Sequence, residues 1–291
     1  MDKLPLVSVV DDSDSVRESL PDLLRHVGLA ALAFPSAEAF LASEAAEDTT
    51  CLILDVKLPG MSGPDLHREL VRRGRTIPVV FINVGDPVAS GLVNNVPRPD
   101  GNATGITSLF QSLGAKWVDL LKEAAPRIER AALVFVPENV NNQYFGVINA
   151  AAKKRAVETV PIPYRNLAEL EGGIHTFAAE PNGALLMVPP PPSPAAGELI
   201  NRLALKHRLP TMYSAKYYVV KGGMMSYGSS MVESYERAAA YIDRILRGAK
   251  VNELPVQFPT KAEFAINLKT AEMIGLKLPK SIVALASDVI E

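Results

Sequence analysis

The hydrophobic positions of this chain fall in short, β-branched runs separated by amphipathic stretches, and the alternation continues almost to the end. Residues 5–10 form the first run and should be a buried strand. After Asp11 and Asp12, Val16, Leu20, Leu23 and Leu24 recur at helical spacing behind a Ser13 or Asp14 cap, and Gly28 ends the stretch. Strands follow over 29–34, 50–54 and 77–82, with helices over 36–43 and 64–73 between them. This β-α-β-α-β-α-β order implies a parallel sheet with right-handed crossovers.

The run at 77–82 leads through Asn83, Val84, Gly85 and Asp86 to Pro87, which suits the first position of a helix expected to reach about residue 95. A short strand is expected at 102–107 and a long helix at 109–125, with Trp117, Leu120 and Leu121 on one face. A second series then starts. Its strands are expected at 131–136, 158–162, 183–188, 209–213 and 224–227, and its helices at 142–154, 167–179, 195–207 and 231–247. The pattern describes an α/β protein with two doubly wound, parallel-sheet lobes. Lobe 1 would comprise 1–107 plus 229–291, re-entered through 231–247 and 264–268, and lobe 2 would comprise 108–228. Two such lobes leave a cleft, a preferred place for a ligand.

Composition narrows the function. A net charge of −2 with 21% charged and 48% hydrophobic residues lacks the concentrated basic surface of a nucleic-acid partner. Cys51 is the only cysteine, so an intrachain disulfide or a cysteine zinc site is excluded, and its apolar setting reads as inert core. No apolar run approaches the ~20 residues of a membrane span. The start enters acidic sequence at once and lacks a signal-peptide pattern, so a cytoplasmic location is expected. His175 and His207 fall on surface-type helix positions, and no metal-ligand spacing joins them to His26 or His67. The prolines at 189–192 read as a rigid connection.

Asp11, Asp12 and Asp55 stand at the carboxyl ends of two strands that can be neighbours. Clustered carboxylates repel one another unless a cation lies between them, and oxygen ligands of this kind suit magnesium. A carboxylate so held can attack a phosphoryl group. The plainer alternative makes Asp12 a helix cap and Asp55 a loop acid.

Three of these stretches, VVDDSDSVRESL, FPSAEAFL and LILDVKLPGMSG, together resemble the receiver domain of bacterial response regulators of the nitrogen-fixation and nitrate type. The resemblance covers about residues 4–83. It implies a flavodoxin-like sheet with Asp55 as phosphoacceptor, Asp11, Asp12 and Asp55 around magnesium, Lys57 and Met61 on the loop beside them, and a histidine kinase as partner. The chain departs from the pattern where a receiver has Ser or Thr at the end of its fourth strand, since Asn83 stands there. Residues 102–107 carry no lysine to grip a phosphoryl oxygen, and the receiver's own fifth strand, last helix and helix-turn-helix output are not recognisable.

Later stretches, VVFINVGDPVASGLV, RPDGNATGIT, LGAKWVDLLKEAAPRI, MMSYGSSMVESYERAAAYIDRILRGAK and LPVQFPTKAEFAINLKTAEMIGLKLP, resemble solute-binding proteins of the ABC-transporter type, of the tryptophan/tyrosine-binding-like family. This resemblance covers about residues 77–291. It implies a periplasmic-binding-protein-like fold with a hinge, no catalysis, and a small amino-acid-like solute. Asp86 would pair an ammonium, the free amides at the Asn142 helix start would hold a carboxylate, and Tyr213 and Tyr227 would line the site. Otherwise Asp86 is a cap and the tyrosines are packing. The family itself is periplasmic or lipid-anchored. The whole then reads as a natural or engineered hybrid, monomeric, with a receiver-like front replacing the binding protein's first strands and solute binding weakened as a result. Two alternatives stay open: a phosphorelay protein phosphorylated on Asp55, and a structural chimera with neither activity.

Overall fold

The structure, a computed structural model, describes residues 5–26, 28–56, 58–107, 113–138, 143–189 and 192–291. In chain order it begins with β1 (Leu6–Val10), α1 (Asp14–His26), β2 (Ala30–Phe34), α2 (Ala37–Leu41), α3 (Ala45–Asp48), β3 (Thr49–Leu54), α4 (Gly63–Arg72), β4 (Val79–Val84) and β5 (Ala103–Thr107). It continues with α5 (Leu113–Ala124), β6 (Arg130–Phe135), α6 (Gln143–Lys154), β7 (Glu158–Pro163), α7 (Leu167–Ala178), β8 (Gly183–Met187), α8 (Pro194–His207), β9 (Thr211–Tyr213), α9 (Lys216–Val220) and β10 (Met225–Ser229). It closes with α10 (Met231–Leu246), β11 (Ala262–Asn267), α11 (Leu268–Met273), α12 (Lys280–Leu285) and β12 (Asp288–Ile290). Two compact units result, Met1–Leu109 with Ser230–Thr260, and Phe110–Ser229 with Lys261–Glu291. Among the described residues, no helix is long and apolar enough to cross a membrane.

The first unit holds a parallel sheet in the order β2-β1-β3-β4-β5. Strict alternation along β3 and β4 feeds two cores, because successive side chains of a strand point to opposite faces. Leu52, Leu54, Val79 and Phe81 meet Phe40 of α2 and Leu66 and Leu70 of α4. Cys51, Ile53, Val80 and Ile82 meet Leu20 and Leu24 of α1 on the other face. That second core also contains Ala238, Tyr241, Ile242 and Ile245 of α10. The fifth strand and last helix that the receiver resemblance left unfilled are therefore present: β5 lies beside β4, and α10, drawn from far along the chain, packs on β3, β4 and β5. The free edge of β5 is covered by 254–257, where Thr104 Oγ1 donates to the Leu254 carbonyl at 2.7 Å and Gln257 N donates to the Gly105 carbonyl at 2.9 Å.

The second unit holds a sheet in the order β12-β11-β10-β9-β8-β6-β7, parallel except where β11 runs antiparallel to β10. Here the structure corrects the expected division. Residues 261–291 belong to the second unit, because β11 pairs with β10 from Met225↔Ile266 to Ser229↔Ala262. The helix expected at 87–95 is also absent. Ser90 N donates to the Asp86 carbonyl at 3.1 Å, one turn forms, and Gly91 at φ 74° then takes the left-handed region and turns the chain away. On α1, Leu23 is 48% exposed and lies outside the buried stripe that Leu20 and Leu24 form.

Candidate functional site

The carboxyl ends of β1 and β3 are adjacent, since Val10 pairs with Leu54 and Asp55 N donates to the Val10 carbonyl at 2.9 Å. Asp11 and Asp55 therefore follow from neighbouring strand ends, the position at which open α/β sheets place their ligands. Ser13 N donates to Asp11 Oδ1 at 2.8 Å, and Val56 N donates to Asp55 Oδ1 at 2.8 Å. Burial pushes the Asp11 carboxyl up to about 6, against the Ser13 hydrogen bond and with further help from the negative charges of Asp55 and Asp12. Asp12 is exposed. Among the described residues, no group of three or more His, Cys, Asp or Glu side chains is placed to hold a metal ion. The expected trio is thus realised as a half-buried pair, Asp11 and Asp55, with an exposed neighbour.

Two residues at this site have no local sequence signal. Tyr235, on α10, has its phenol pushed well up by burial and then by the charges of Asp11 and Asp55. Arg17 is one helical turn into α1. Its Nη1 donates to the Asp11 carbonyl at 2.9 Å and it pairs with Asp14, so a guanidinium stands beside the carboxylates. At the end of β5, where a receiver's lysine would follow, Thr107 is buried and donates to the Gln257 carbonyl at 3.2 Å. The loop after Asp55 is held tightly: a Cβ on Gly63 would strike the Asp55 carbonyl oxygen, which is why glycine stands there. Met61 N donates to Glu38 Oε1 at 2.8 Å, and its side chain packs against the α2/α4 core. Lys57 lies outside the described residues.

A magnesium ion keeps several waters and is commonly held by one or two carboxylates, so a pair suffices. The elevated Asp11 carboxyl, next to like charge, is the electrostatic situation a divalent cation relieves. The residues present fit such an ion.

The solute-site candidates fare differently. Asp86 Oδ1 accepts from Val88 N at 3.1 Å and Ala89 N at 2.9 Å, so it caps the turn after β4. Tyr213 is 1% exposed, donates its hydroxyl to Asn201 Oδ1 at 2.7 Å and stacks on Tyr218 with ring centroids 4.8 Å apart. It is core of the second unit, because β9 is an interior strand, and it has no free face for a solute. Tyr227 is half-buried, with its ring 6.1 Å from that of Phe264. It lines a cavity of about 270 Å³ in the second unit, together with Lys116, Leu120, Phe264 and Leu285. Asn142 lies outside the described residues.

Comparison with known proteins agrees with this two-part construction. The model for the ABC transporter substrate binding protein family matches residues 63–290, and that for the response regulator receiver domain matches 7–89. The front is similar to nodulation protein W of Bradyrhizobium diazoefficiens, 49% identical over 77 residues, which are 26% of this chain and 34% of that protein. The rest is similar to a tyrosine-binding protein of Clostridioides difficile, 23% identical over 210 residues, 70% of this chain and 58% of that one. The chain therefore spans about a third of the length of nodulation protein W and somewhat over half of the tyrosine-binding protein. Among solved structures, a conserved domain protein from Vibrio cholerae aligns over 99% of this chain and 100% of its own, at TM-score 0.77 and 23% identity. An ABC domain from Streptococcus pneumoniae, in complex with L-Trp, covers the same shares at TM-score 0.78 and 17% identity. These likenesses establish the periplasmic-binding-protein type of fold for the full described length, with a receiver segment built into its first unit.

Proposed function

We propose that this chain, which belongs to the ABC transporter substrate binding protein family, is a non-catalytic binding protein for a small amino-acid-like solute, with a first unit founded on a receiver-derived segment. The observation that carries the reading is the continuity of the first sheet. Strand β4 lies within both family matches, and β5 and α10 from the binding-protein part complete the sheet and core that β1 to β4 begin. A receiver segment in the place of the family's own first strands retains the scaffold and removes that segment's ligand contacts. Each lost contact to a charged solute group costs about 1.5–3 kcal/mol, so affinity below that of an unmodified binding protein is expected. The bound solutes named for the similar proteins, tyrosine and L-Trp, support an aromatic amino acid as the first ligand to try. Calorimetry against the common amino acids tests this. Saturable, stereoselective binding of one of them supports the reading, and an absence of heat and thermal shift with every amino acid sinks it.

The Asp11–Asp55 pair favours a second reading, in which Asp55 is a phosphoacceptor. Asp11 and Asp55 would hold magnesium through their carboxylates, and the ion would neutralise the charge of an incoming phosphoryl group. The Asp55 carboxylate oxygen would attack phosphorus, the donor's leaving group would depart, and an acyl phosphate would remain on Asp55. A histidine kinase or a small phosphodonor would supply the phosphoryl group. Arg17 is the cation described beside the pair, and Thr107 replaces a gripping lysine, so transfer should be slow. Incubation with acetyl phosphate and magnesium, read by intact mass, should add one phosphoryl group to the wild type and none to Asp55→Asn. Equal labelling of both would remove Asp55 from the reading.

A further inference from the structure

Helices α7 and α8 of the second unit lie side by side and carry His175 and His207 in their last turns. Nε2 of His207 is 2.8 Å from Nδ1 of His175, and the rings meet edge to face at 4.8 Å and 86°. The opposite nitrogen of His175, Nε2, lies 3.6 Å from Glu171 Oε1, one turn earlier on the same helix. Neither reading of function above uses these groups. A hydrogen-bonded imidazole pair that ties two helices would be a sufficient structural role, but the arrangement has two features that such a tie does not need. A carboxylate stands behind one of the rings. His207 also borders a cavity of about 470 Å³, with Glu180, Asn182 and Arg208 on its walls, which leaves room for water on that side.

We infer that His175 and His207 form a binding site for a divalent transition metal of the zinc or nickel kind, joining α7 to α8. Imidazole suits these metals, with metal–nitrogen distances of about 2.0–2.1 Å. Tetrahedral ligation then sets the two donor nitrogens roughly 3.3 Å apart. The observed 2.8 Å separation needs to widen by only about half an ångström, within a side-chain adjustment. Ligation through His175 Nδ1 places that ring's proton on Nε2, on the side of Glu171 Oε1 3.6 Å away, from which a small side-chain movement forms the carboxylate–histidine–metal relay that orients ligating rings. Ligation through His207 Nε2 places its proton on Nδ1. Each ring stays neutral and only shifts its tautomer through solvent, so the proton count balances. Both histidines sit in the final turns of their helices, whose carbonyl ends favour positive charge. Waters complete the coordination.

The test uses the full chain without a histidine tag, titrated with zinc chloride and, separately, nickel chloride. Calorimetry should give one ion per chain, and the melting temperature should rise. His175→Gln and His207→Gln should each abolish the binding. Glu171→Gln should weaken it roughly 10–100-fold, the usual effect of losing an outer-shell partner. Nickel broadening of imidazole signals in the wild type gives a readout independent of any variant's folding, and it should fall on His175 and His207 and spare His67. Magnesium, which prefers oxygen, should leave those signals unmoved. A wild type that takes up no zinc or nickel overturns the inference. So does unchanged affinity in both histidine variants, or broadening confined to His26 and His67.

Discussion

Around Asp11 the chain places three acids within a few residues of two strand ends, and the consequence is measurable at a single carboxyl. Its folded-state value of about 6 lies above the ordinary aspartate value of 3.8, so the folded state binds this proton more tightly than the unfolded state does. The contribution to stability is then greatest below about pH 4 and is lost as pH rises through about 6. The difference in melting temperature between Asp11→Asn and wild type should accordingly grow from pH 4 to pH 7 in favour of the variant. A constant difference would contradict the assignment. Carboxyl NMR should also show the Asp11 midpoint fall in Asp55→Asn yet remain above the usual range, since burial is the leading cause. At Tyr213 the prediction is of packing. Tyr213→Phe leaves the Asn201 carbonyl oxygen without its donor in a buried site and should cost about 1–3 kcal/mol in denaturant unfolding. A measured loss near zero would show that the hydroxyl is not integral to that core.

At the scale of elements, α10 and β5 decide whether the receiver segment is a domain or a fragment. Residues 1–85 contain β1 to β4 and their helices, but Val80, Ile82 and Ile53 would lose the face of α10, and β4 would become an uncovered edge. A protein truncated after Gly85 should aggregate or lack a cooperative transition, and sharp melting of that fragment would argue against the shared core. Within the intact chain, Ile242 is 0% exposed among Leu24, Ile53 and Ile82, and Ile242→Ala should destabilise the first unit by about 2–5 kcal/mol. The same view explains the turn at 87–92. Pro87 opens a helical turn well, yet a helix there would need continued intrahelical bonding past Gly91, and the chain instead returns Leu92 N and Val93 N to the Pro87 carbonyl.

For the whole molecule, each unit has its own core, and Trp117, the only tryptophan, reports on the second. It is 1% exposed, donates from Nε1 to the Tyr227 carbonyl at 2.6 Å and stacks near Tyr144. Urea unfolding of Ile242→Ala followed by far-ultraviolet circular dichroism should show an earlier first transition, with the Trp117 fluorescence midpoint displaced less. Equal displacement of the two signals would mean that the units unfold as one. Binding of an amino acid should stabilise by mass action, so its thermal shift should persist in Asp55→Asn if the solute-binding and phosphoacceptor readings concern separate chemistry.

Much of this protein is legible along the chain because its signals are local. The β-branched runs around Val7, Ile53, Phe81, Val134 and Leu186 became strands, since a few consecutive side chains suffice to specify a pleated, buried segment. The Ser36, Ser62, Asn166, Ser193 and Ser230 side chains accept from backbone amides of the helices they begin, an interaction spanning only three residues. The adjacency of Asp11 and Asp55 was also readable, because a parallel β-α-β order with short crossovers leaves few sheet arrangements. What tertiary structure alone decided joins positions far apart. Tyr235 comes to the carboxylate pair, 261–291 pairs with β10, and His207 meets His175. No local propensity encodes any of these, because each depends on which apolar faces remain uncovered once the nearer strands have paired, and burial of those faces selects the distant segment whose pattern fits.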